Sequence, residues 1–112
     1  GVGGVYRIAI VEKDPDAREE IHRLAALFFT RRKESAAFVI CETRGDLPPY
    51  YDCYLLGDER CVALLRGPEE AALETASKPL EEAEFFEMLE KWRSVNGAAA
   101  VRTPKKRRGI PI

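Results

Sequence analysis

Tyr51 to Leu65 reads YDCYLLGDERCVALL. Two apolar runs, YDCYLL at Tyr51 to Leu56 and RCVALL at Arg60 to Leu65, have the composition of short buried strands. Only Gly57, Asp58 and Glu59 lie between them. A parallel crossover needs about a dozen residues or more, so the chain either turns back as an antiparallel hairpin or continues past a kink. The hairpin is the favoured reading.

Working outward from that pair, Tyr6 to Val11 (YRIAIV) is a β-branched run suited to a buried parallel strand. Asp14 then offers a helix cap, Pro15 suits a first turn, and Asp16, Glu19 and Glu20 place negative charge at the positive end of the helix. Ala17, Ile21, Leu24 and Phe28 recur at helical spacing, and Arg31, Arg32 and Lys33 close the pattern. Ala36 to Cys41 (AAFVIC) predicts a second strand, and RGDLPP at Arg44 to Pro49 breaks the chain before a full helix can form. Downstream, a short helix is expected over Pro68 to Leu73, a brief strand over Glu74 to Lys78, and a long helix over Leu80 to Val95. Phe85, Met88, Leu89 and Trp92 form its apolar stripe, a core face that is also a candidate interaction face.

At 112 residues and 46% hydrophobic content the chain suits one domain with a single core. It has no apolar stretch near the ~20 residues of a membrane span and no signal-peptide pattern at its start, so a soluble, cytoplasmic protein without a membrane partner is expected. Cys41, Cys53 and Cys61 fall in no metal-ligand or redox spacing and read as buried thiols, and His22 reads as a surface or boundary residue. The net charge of −1 conceals an asymmetry. From Asn96 onward there are five cations and no acid, which leaves the preceding residues at −6. Such a body repels nucleic-acid phosphates.

Three stretches carry a resemblance: YRIAIVEKDPDAREEI at Tyr6 to Ile21, YDCYLLGDE at Tyr51 to Glu59, and SKPLEEAEFFEMLEKW at Ser77 to Trp92. In this order the chain resembles the receiver domains of bacterial two-component response regulators. The resemblance covers most of Tyr6 to Val95. It implies an α/β domain over residues 1–95 with a reduced flavodoxin-like receiver fold, its sheet mostly parallel with a possible antiparallel hairpin. In that family, acids after the first strand hold Mg²⁺, an aspartate ending the third strand accepts phosphate, a Ser or Thr ends the fourth, and a lysine before proline contacts the phosphoryl group.

The corresponding pocket here is degenerate. Its acidic cluster is Glu12, Lys13 and Asp14, so an ammonium stands where the family has an acid. Gly57 falls at the acceptor position with Asp58 one residue later, and VALLRG offers Arg66 and Gly67 in place of the hydroxyl. Lys78, before Pro79, keeps its identity. Phosphoryl transfer needs a carboxylate beside a cation and positive groups on the transferred oxygens, and most of that set is missing. The resemblance therefore implies a pseudo-receiver that is not an enzyme and needs no cofactor, with Glu12, Asp14 and Asp58 as weak Mg²⁺ candidates. A plain solvated charge cluster at the strand ends is the simpler alternative.

The basic segment AAAVRTPKKRRGIPI, Ala98 to Ile112, resembles the opening strands of a LytTR DNA-binding domain, with a basic linker over residues 96–112 as the alternative. The expected function is a regulatory module of a signal-responsive transcription regulator, acting on a protein partner or as a homodimer and touching DNA only through a domain outside this sequence. Two alternatives are a phosphoacceptor that uses Asp58, and a small enzyme built on Glu12, Asp14, Asp58 and Lys78.

Overall fold

The structure is a computed structural model and describes residues 4–94. Its elements run β1 (Val5–Val11), α1 (Pro15–Arg31), β2 (Ser35–Cys41), β3 (Cys53–Gly57), β4 (Cys61–Leu65), β5 (Glu74–Ser77) and α2 (Glu82–Trp92), with a single 3-10 turn at Arg44–Asp46. The basic segment expected as a linker or LytTR-like strands, residues 96–112, lies outside the described residues.

Local chemistry sets the first crossover. Asp14 caps α1 by accepting from the Ala17 N–H at 3.3 Å, and Pro15 occupies a first-turn position where a missing N–H costs nothing. Ile21, Leu24, Ala25, Phe28 and Phe29 form the buried face of the helix. β1 pairs in parallel with β2 and, on its other side, with β3. β4 is antiparallel to both β3 and β5, and the sheet order is β2-β1-β3-β4-β5.

These pairings overturn the expected flavodoxin-like fold. The strand order is that of flavodoxin-like sheets, but the sheet is mixed and the described residues hold two α-helices. Connection length is the reason. Three residues join β3 to β4 and eight, 66–73, join β4 to β5; both fall short of the dozen or so that a parallel crossover needs. The hairpin reading of Tyr51 to Leu65 therefore extends to a second reversal. The helix expected over Pro68 to Leu73 is absent for the same reason. That segment turns through a Glu70 N–H to Gly67 C=O bond at 3.1 Å, and its Leu73 N–H already reaches the Leu64 C=O at 2.7 Å.

Both helices cover one face of the sheet. Tyr6, Ile8 and Ile10 of β1, Leu55 of β3 and Leu64 of β4 meet the α1 face and the α2 residues Phe85, Met88, Leu89 and Trp92. Those four α2 residues are at most 3% exposed, so the stripe considered as an interaction face is turned inward and offers a partner no surface. The opposite face holds a smaller cluster of Ala9, Cys41, Leu47, Tyr54 and Leu65, covered by loops. There the Tyr54 hydroxyl donates to the Pro48 C=O at 2.7 Å and accepts from the Tyr51 N–H at 3.0 Å, which holds the β2–β3 connection down.

The cysteines are free thiols. Cys41 and Cys53 are buried and Cys61 half-buried, and burial pushes all three thiols up, Cys53 furthest. His22 is exposed and meets the Phe38 ring edge-on at 4.6 Å. No helix among the described residues is long and apolar enough to cross a membrane.

Glu34, just before β2, ties that strand to the end of α2. The Arg93 guanidinium donates to both of its carboxylate oxygens and holds the carboxyl below its ordinary value of 4.5. A depressed folded pKa means the contribution is fully present above about pH 4.5 and is lost as pH falls through the folded value. Glu34→Gln should cost about 1 kcal/mol at pH 7, allowing for solvent screening of a partly exposed pair. Thermal melts of both proteins should differ at neutral pH and converge below pH 4.5.

Candidate functional site

Two reversals restore the original direction. β5 therefore runs parallel to β1 and β3, and the C-terminal ends of all three meet at one end of the sheet. Glu12 follows β1, Gly57 ends β3 and Lys78 follows β5. A cleft of about 760 Å³ opens over this edge. Glu12, Lys13, Asp14, Gly57, Asp58 and Lys78 all line it, together with Glu42, Thr43, Arg44 and Glu59.

The floor of the cleft is an ion pair. The Lys78 ammonium donates to Glu12 Oε1 at 2.6 Å, with the carboxylate side chain 5% and the lysine side chain 16% exposed. Glu12 Oε2 accepts from the Asp14 N–H at 3.1 Å, and the Glu12 C=O accepts from Arg18 Nη1 at 3.2 Å. A charge this deep needs both a partner and hydrogen bonds, and Glu12 has them. Gly57 makes the arrangement possible: a Cβ there would lie 1.9 Å from Glu12 Oε1. A side chain at position 57 could enter only if the carboxylate end of Glu12 moved away from it.

Two other acids of the cleft, Asp14 and Asp58, serve the backbone. Asp14 caps α1. Asp58 accepts from the Arg60 and Cys61 N–H groups at 2.7 and 2.9 Å, closing the β3–β4 turn, and these bonds hold its carboxyl below the ordinary range. Glu12, Asp14 and Asp58 thus line one cleft without converging on one point. Among the described residues no group of three or more His, Cys, Asp or Glu side chains could hold a metal ion. The residues do not fit a Mg²⁺ site, because no three of these carboxylates come together at one point. Lys13 is exposed on the rim.

Two further residues shape the cleft and were not singled out by sequence. Arg18 braces the Glu12 carbonyl from α1. Arg44 lines the cleft and donates to the Pro68 C=O at 2.9 Å and the Glu70 C=O at 3.1 Å, which joins the β2–β3 and β4–β5 loops. Arg18 carried a faint signal, one helical turn after the Asp14 cap. Arg44 carried none, since its partners are backbone carbonyls.

The pair itself can be tested by taking it apart. Lys78→Met leaves a buried carboxylate unpaired and should cost about 3 kcal/mol in denaturant unfolding, whereas Glu12→Met combined with Lys78→Met should recover most of that loss. Equal losses in the single and double variants would mean that the lysine stem, not its charge, matters.

Comparison of the chain with family models, with curated proteins and with solved structures gave no match.

Proposed function

We propose that the chain is a non-catalytic regulatory module, a pseudo-receiver that acts through protein contacts in a signal-responsive regulator of the cytoplasm. One observation carries this reading. The Glu12–Lys78 pair, packed against Gly57, fills the position that the resemblance would give to an acceptor carboxylate and divalent ion. The lysine that would stabilise transferred phosphoryl oxygens is paired with Glu12 from within the protein.

The same geometry counts against the two alternatives. A phosphoacceptor at Asp58 would rely on a carboxylate whose Oδ1 already accepts the Arg60 and Cys61 N–H bonds of the hairpin turn, with no convergent carboxylate group among the described residues to hold a cation beside it. A carboxylate-based enzyme would have to work without Glu12 and Lys78, which are paired with each other. A module that signals without chemistry must do so by surface, and its proposed partner is a protein or a second copy. Contact with DNA is assigned to sequence outside this chain.

Phosphotransfer decides the matter. Incubated with a small-molecule phosphodonor and Mg²⁺, the intact chain should show no phosphate adduct by mass spectrometry. An adduct that disappears in Asp58→Asn would overturn the proposal and make the hairpin turn the acceptor site.

A further inference from the structure

The two edges of the sheet differ in a way that identifies a contact surface. β5 has four residues, ETAS, includes Glu74 and is followed by Lys78 and Pro79. Short length, charge and proline are the means by which monomeric proteins protect an edge. β2 has seven residues, SAAFVIC, with no charge and no proline, and among the described residues nothing pairs with its outer side in the sheet. Ile40, on this strand, is a large hydrophobic residue 45% exposed.

Backbone alternation shows what the edge offers. The Asp58 N–H donates to the Cys61 C=O at 2.9 Å and the Lys78 N–H to the Arg60 C=O at 2.7 Å. Carried strand by strand through the registers, that alternation directs the N–H and C=O of Ala36, Phe38 and Ile40 away from β1. The outward set is symmetric about Phe38.

We propose that this chain forms a two-fold dimer in which β2 pairs antiparallel with β2 of a second copy, centred on Phe38. In that register Phe38 faces its own counterpart and Ile40 faces Ala36 of the second copy, so about six interchain backbone bonds form and no outward group of these residues is left over. The pairing covers Ile40 and joins two five-stranded sheets into one. Charge favours the same place: residues before Asn96 total −6, so two copies repel over most of their surface and meet without repulsion along an uncharged strand. At the strand ends Glu42 of one copy approaches Glu34 of the other, whose charge is already matched by Arg93 and Arg32. The dimer supplies the contact that the proposed function calls for, and it rests on that reading only in this respect. A monomeric chain would leave the phosphotransfer result unchanged, so the two fail separately.

Sedimentation of the full chain at up to about 100 µM tests the proposal. The expected species has twice the 12.6 kDa mass of one chain. Ala36→Pro deletes an outward N–H while sparing the bonds to β1, and Ile40→Lys places a charge on the edge. Each should weaken dimerisation at least tenfold, a rough figure for lost edge bonds and a buried charge, with the circular dichroism spectrum unchanged. If Ala36→Pro does not fold, Ile40→Lys decides alone, since its side chain is already part exposed. A wild-type monomer, or a folded Ile40→Lys variant that dimerises as strongly as wild type, overturns the β2 interface.

Discussion

Three residues between β3 and β4 govern the architecture. Too few to climb over the sheet, they oblige the chain to reverse, and Asp58 makes the reversal tight by accepting from the N–H groups of Arg60 and Cys61. Eight residues after β4 oblige it to reverse again. The sheet therefore has one strand pointing against the other four, and every strand that carries a cleft residue at its C-terminal end still points the same way. Lys78 reaches Glu12, 66 residues earlier, because the number of reversals is even.

That meeting sets the character of the cleft. Positive and negative charge cancel inside the protein at 2.6 Å, and a glycine supplies the space the carboxylate needs. Breaking such a pair by removing one partner is costly even where a hydrophobic replacement of both is not, because the surviving charge stays buried. Glu12 and Lys78 are thus each dependent on the other. The cleft above them keeps an open mouth lined by charge, but its deepest carboxylate and ammonium are committed to one another.

Local features were readable from the chain and distant ones were not. The cap at Asp14 and the apolar spacing of α1 are properties of consecutive residues, and the β3–β4 hairpin follows from counting three residues between two apolar runs. The six cleft residues could be grouped because a resemblance placed them at strand ends. What escaped was the consequence of a second short connection: Pro68 to Leu73 has helix-compatible residues, but closing the strand register within eight positions outweighs that preference. The inward turn of Phe85, Met88, Leu89 and Trp92 depends on which face of the sheet lacks other cover. Arg44 was invisible because a guanidinium bonded to carbonyls leaves no complementary residue type to recognise.

That last tether has an implication for how the molecule tolerates change. Arg44 holds the Pro68 and Glu70 positions by main-chain oxygens, which every residue carries. That anchorage places no demand on which side chains stand at positions 68 and 70, even though Glu70 also pairs with Arg66. In evolutionary terms, the point of attachment can outlast changes of residue at those two positions.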